Sequence, residues 1–238
     1  MRAFHAGLLT LAAVLLAACS GGDDPAPTPD FAAEAERLVP GAVLALRELE
    51  GFTAFEGEDI GQQADLSAEC DVFDAALVFP DAAATADSGP FEGRSDDQLL
   101  NYAAIYTTSA DAQQAIAGTR ELLERCEGEF RERIEQVVRD VVADFGVDPD
   151  FIADLDITIG EYEAPPAGEQ YLGYRIKVEV NLVLISQQYN LDVIFVREGR
   201  VAGALMYGRI GVINTETETM LVELMAGKLA QTDEALPE

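Results

Sequence analysis

Apolar and polar positions along this chain follow two rhythms, one near 3.6 residues and one of two, and the change from one to the other marks its elements. From Phe31 to Leu49 the spacing is helical, with Asp30 placed to cap the start and Leu38, Val43, Leu44, Leu46 and Leu49 turned inward. Pro40-Gly41 interrupts this run and predicts two short helices or a kink. Glu56 to Cys70 has no period and reads as loop, and the short apolar run from Asp74 to Phe79 stops at Pro80. Ala82 to Phe91 and Leu99 to Thr107 read as strands, joined by a turn over Gly93 to Asp97. The second strand places Leu99, Ala103 and Ile105 on one face, and Leu100, Tyr102 and Tyr106 on the other.

Thr108-Ser109-Ala110-Asp111 has the form of a capping box and opens a helix to about Cys126. Ala112, Ala115, Ile116, Leu122 and Leu123 form its apolar side. A second amphipathic helix carries Phe130, Ile134, Val137, Val138, Val141, Val142 and Phe145, and stops at Gly146 and Pro149. After Asp154 the period becomes two. Strands are expected over Asp156 to Tyr162, Tyr171 to Val183, Leu191 to Arg197 and Arg200 to Met206. Pro165 to Gly168 and Glu198-Gly199 are the turns, and four such strands in succession predict an antiparallel meander. Thr215 with Glu218 reads as another capping box. It opens a last helix whose stripe of Met220, Leu221, Leu224, Met225 and Leu229 is read as core, not as a methionine-rich binding face. The pattern as a whole predicts an α+β fold: an antiparallel sheet of about six strands, helices packed mainly on one face, and one disulfide.

Composition narrows the partners. An apolar content of 49% in 238 residues suits a globular domain. The formal charge of −29 repels nucleic acid, which is bound through Lys and Arg, and also repels anionic lipid headgroups. The acids are spread along the chain, so the charge reads first as solubility.

The start of the chain has its own pattern. Ala6 to Ala18 is apolar apart from Gly7 and Thr10, shorter than the roughly 20 residues of a spanning helix. It ends in Leu16-Ala17-Ala18-Cys19, followed by Ser20-Gly21-Gly22, and this stretch resembles the lipobox of bacterial lipoproteins. The resemblance implies a signal peptide over 1–18 and a diacylglycerol thioether on Cys19, with acyl chains as the membrane anchor. Residues 19–30, rich in Pro and small polar residues, are then a flexible tether, and 31–238 a single domain. The expected location is the cell membrane, on the extracytoplasmic side, whether cell surface or periplasm.

With Cys19 lipidated, Cys70 and Cys126 remain, and outside the cytoplasm an even pair reads as a disulfide. Closing so long a loop stabilises by about 4 kcal/mol on the chain-entropy estimate. A metal site or a catalytic thiol is the competing reading. The single histidine, His5, lies in the leader, so no other His can serve either. Neither a metal nor a cofactor is expected.

The order of elements, with Cys70, the strand Asn101-Tyr102-Ala103-Ala104-Ile105-Tyr106, the helix ending in Cys126 and the run Val193 to Val201, resembles the extracellular sensor domain of PknH-type receptor kinases. That module also occurs in actinobacterial lipoproteins. The resemblance implies an α+β fold with a cleft for an unidentified ligand. It carries over no functional residue, and here only one disulfide can form where that domain has two.

Three functions fit. The first is a lipid-anchored binding or sensor-like domain without catalysis, its partner a small hydrophobic ligand or an envelope protein. The second is a carrier of a lipid or other hydrophobic molecule in an internal cavity of several hundred Å3. The third is a carboxylate-dependent enzyme. Asp144, Asp148, Asp150, Asp154 and Asp156 cluster in sequence and could serve such an enzyme or bind Ca2+, but the Asp-x-Asp-x-Asp-Gly loop is missing. The Gly-x-Ser-x-Gly elbow and the phosphate-cradling Gly loop are missing too.

Overall fold

Strand β4, Gln98–Ile105, is the spine of the fold, buried from Leu99 to Ile105 on both of its faces. The computed structural model describes residues 30–55, 67, 70, 75–93, 97–144, 148–182 and 185–237. The leader, Cys19, most of the tether, Phe145, Gly146 and most of the loop before Cys70 lie outside the described residues.

Among the described residues the sheet has eight strands, all antiparallel. Besides β4 they are β1 (Phe52–Ala54), β2 (Ala84–Asp87), β3 (Phe91–Gly93), β5 (Ile152–Glu161), β6 (Gln170–Leu182), β7 (Ser186–Glu198) and β8 (Val201–Ile210). The order is β1-β3-β4-β8-β7-β6-β5, and β2 lies beside β3 against the same strand β4. The run from Ala82 to Phe91 is thus two short strands separated at Gly89-Pro90, and β1 is an addition. These raise the count above the six expected. Strands β5 to β8 form the meander that the period of two predicts.

Among the described residues three helices of twelve residues or more cover the sheet: α1 (Phe31–Ala42), α2 (Ser109–Asp144) and α3 (Thr215–Ala235). Two share one face. Ala35, Val39 and Ala42 of α1 and Leu221, Met225 and Leu229 of α3 pack on Leu99, Ala103, Ile105, Ile194 and Leu205. The other face takes α2, whose Ala112, Ile116, Leu122, Leu123 and Phe130 meet Tyr102, Ala104, Phe195 and Met206. Pro40 sits inside the last turn of α1, where the helix ends anyway. Leu46 and Met220, expected in the core, are exposed.

The two helices predicted on either side of Gly128 are one helix of 36 residues. A single Gly costs about 1 kcal/mol in a helix. The apolar stripe continues across it through Leu122, Cys126 and Phe130, so packing holds the turn. Cys126 therefore lies mid-helix rather than at its end. Its disulfide to Cys70, 56 residues away in sequence, ties the loop to the middle of α2. Glu129 reinforces the tie by accepting from the backbone N–H (2.5 Å) and hydroxyl (2.9 Å) of Ser67. Thr108 caps α2 as predicted: its Oγ1 accepts from the N–H of Asp111 at 3.1 Å and donates to the Asp111 carboxylate at 2.7 Å.

Candidate functional site

The polar side chains most deeply enclosed near a helix start lie where α3 meets β6 and β7. Each arrives there for a local reason. In β7, Asp192 interrupts the apolar run Leu191-Asp192-Val193-Ile194. The register sets it opposite Arg175 of β6. Tyr162 leaves the end of β5, and its N–H donates to the carbonyl of Gly173 at 3.0 Å, laying the chain across the sheet. A Cβ on Gly173 would stand 2.6 Å from the Ala164 methyl and 2.8 Å from the Tyr162 ring, so this crossing needs glycine. Helix α3 is capped not by Thr215 but by Asn214, whose side chain accepts from the N–H groups of Glu216 and Thr217. Glu218 is thereby free of the capping role that the Thr215-x-x-Glu218 spacing suggests. It falls on the inward stripe with Leu221, Val222 and Met225.

Four groups then meet. The Tyr162 hydroxyl donates to Glu218 Oε1 at 2.5 Å. Arg175 donates to both oxygens of Asp192, Nε and Nη2 at 2.6 Å each, and its guanidinium lies 4.3 Å from the centre of the Tyr162 ring. The Asp192 carboxyl acts on that of Glu218 and favours a proton there. Asp192 is 0% exposed and Glu218 2%.

Two buried carboxyls thus lie in one cluster with a single guanidinium, which engages Asp192. Burial, and then the contact with Asp192, push Glu218 up to about 7, against the opposing pull of Tyr162 and Arg175. Burial and the bond to Glu218 push Tyr162 far above its ordinary range. The bond to Asp192 holds Arg175 above its own. Chemically the cluster can hold one proton at near-neutral pH on a buried carboxyl, with Arg175 at its half-exposed edge.

The residues singled out from sequence sit elsewhere. Cys70 and Cys126 are brought together as the expected disulfide. Asp148, Asp150, Asp154 and Asp156 are exposed, and among the described residues no three or more acids, His or Cys converge as metal ligands. Asp154 and Asp156 line a cleft of about 400 Å3 between β5 and α2, opposite Arg131, Glu135 and Arg139. Arg131 crosses this cleft to the carbonyl of Ile157. A second cleft, of about 240 Å3, is lined by Gly51 to Thr53 and by Glu92 and Gly93. Neither is an apolar chamber. No helix among the described residues is long and apolar enough to cross a membrane.

No family model and no curated protein matches the chain. Among solved structures, the extracellular domain of PknH from Mycobacterium tuberculosis aligns with 84% of this chain and 97% of its own. The sequence identity is 8% and the TM-score 0.45. At those values the likeness assigns no functional residue.

Proposed function

We propose that this protein is a lipid-anchored, extracytoplasmic binding domain, sensor-like and without catalytic activity. The observation that carries the reading is the lipobox-like Leu16-Ala17-Ala18-Cys19 behind a short apolar leader. The Cys70–Cys126 disulfide agrees with an oxidising compartment. It also leaves Cys19 as the one cysteine not engaged. The non-catalytic part is supported by the burial of both Asp192 and Glu218, which leaves no open cleft between two carboxyls for a substrate. The carrier reading gains no support from the two open, partly polar clefts.

The test is growth of the producing cells with an alkyne-tagged palmitate. The wild type is expected to take up label and to enter the detergent phase, whereas Cys19→Ala stays unlabelled. Label retained by Cys19→Ala sinks the anchor. Native mass spectrometry of the oxidised protein then separates the occupants. An extra mass lost on denaturation identifies a small ligand, and a bare mass directs the search to envelope proteins.

A further inference from the structure

We infer that Tyr162, Arg175, Asp192 and Glu218 form a proton-operated latch, which fixes the first turn of α3 to the sheet when Glu218 is protonated and loosens it when Glu218 ionises. Charge counting comes first. The cluster buries two carboxyls beside one guanidinium, and that guanidinium is engaged by both oxygens of Asp192. A protonated Glu218 adds no charge and still accepts from the Tyr162 hydroxyl, so Arg175 balances the one remaining carboxylate, Asp192. An ionised Glu218 adds a second buried carboxylate to the one that Arg175 already engages, and one net negative charge is left buried. The strain falls on α3, because Glu218 is in its first turn, whereas Arg175 and Asp192 are held in the middle of long strand ladders.

Among the described residues, the charged groups nearest the latch on the sheet are paired elsewhere. On the same face, Lys177 of β6 is paired with Glu179 at 3.2 Å. Strand β8 sets Tyr207 opposite Asp192, and the Tyr207 hydroxyl donates to Asp97 at 3.0 Å, with Arg209 beside that acid at 3.5 Å. The only histidine of the chain is His5, so none in the domain titrates near neutrality. Glu198, in the β7–β8 turn, is also pushed up by burial and by Glu169. It ends strand β7, six residues along from Asp192, has no hydrogen bond to the four latch residues, and serves as the control.

The sign follows from linkage. The folded chain keeps a proton on Glu218 that the unfolded chain gives up near 4.5, its ordinary value. The contribution to stability is therefore complete below about 4.5 and is lost as pH rises through about 7. Only the biological use of the latch rests on the extracytoplasmic reading, since a periplasm or cell surface follows external pH. The test below needs neither lipid nor ligand, so its failure and the failure of that reading are separate results.

Unfolding of the full chain in detergent is followed between pH 5.5 and 8.5, with hydrogen exchange of residues 215–222 normalised to intrinsic rates. The wild type is expected to lose roughly 30-fold in folding equilibrium across that window. Protection should fall first in the opening turn of α3. Glu218→Gln should abolish both slopes, and Glu198→Gln should keep them. Tyr162→Phe removes a donor that favours the ionised form, so the midpoint should move up by about one pH unit. A flat wild-type profile, an unchanged slope in Glu218→Gln, or exchange that quickens elsewhere but not in α3 overturns the latch. Should Glu218→Gln fail to fold, the Tyr162→Phe midpoint decides, and the absence of an upward shift overturns it.

Discussion

Asn101 shows how one polar side chain can fix a core. It is fully buried in β4. Its oxygen accepts from the N–H of Leu44 at 2.8 Å, and its amide donates to the carbonyls of Ala204 (2.9 Å) and Tyr102 (3.1 Å) and to the Met225 sulfur (3.1 Å). Asn101→Ala strands the Leu44 N–H in an apolar setting and should destabilise by about 2–4 kcal/mol, read by urea unfolding. Tyr106 is the opposite case. Its hydroxyl is buried with no partner among the described residues, so Tyr106→Phe should leave stability unchanged or raise it by up to about 1 kcal/mol. At this scale the sequence was only partly legible. Asp192 inside an apolar strand, and Glu218 three, four and seven residues before Leu221, Val222 and Met225, both announce buried acids. The reading of Glu218 as a cap hid it, because Asn214 one position earlier is the stronger cap and took the role. That Tyr162 and Arg175 join them depends on register and on a chain crossing, which no local pattern contains.

Elements were more legible than the contacts between them. The period-two stretches from Asp154 onward became β5 to β8 in the expected meander, because alternation there is long and regular. The short strands β1 and β3 were not separable from loop, since three residues carry no period. The sequence reading ends one helix at about Cys126 and starts the next at Phe130, where the structure has the single helix α2. Gly128 is exposed with open space where a Cβ would be, so Gly128→Ala should stabilise by about 0.5–1 kcal/mol in thermal unfolding. A loss of stability would argue for a break in the helix at that point. The disulfide acts on the same element. Cys126→Ser together with Cys70→Ser should cost about 4 kcal/mol, with the segment around Cys70 becoming the first site of proteolysis.

For the whole molecule, a formal charge of −29 sets the balance between a well-packed interior and a self-repelling surface. The thermal midpoint should rise by several degrees between roughly 0.02 and 0.5 M NaCl, as screening relieves that repulsion. A fall would mean that exposed pairs such as Glu135–Arg139 and Glu161–Arg120 outweigh it. Composition alone made this property legible. The pairing of α1 and α3 on one face against α2 on the other was not, because each helix shows only which of its sides is apolar.

One arginine gathers both flanks of the fold. At the β7–β8 turn, Arg200 lies 5.8 Å from the Phe31 ring, holds Asp233 at 3.3 Å and donates to the carbonyl of Pro237 at 2.7 Å. Its own N–H donates to Asp233 Oδ1 at 2.8 Å, and Gly199 beside it has φ +52° with the Asp233 carboxylate where a side chain would begin. A tug delivered through Asp30 would meet this clasp before any hydrogen bond of the sheet. Helix α1, packed on the sheet through Ala35, Val39 and Ala42, would be loaded first, while the β6–β7 ladder stayed closed. In the lipid-anchored form proposed above, tension on the tether would thus reach this pole of the domain before the sheet.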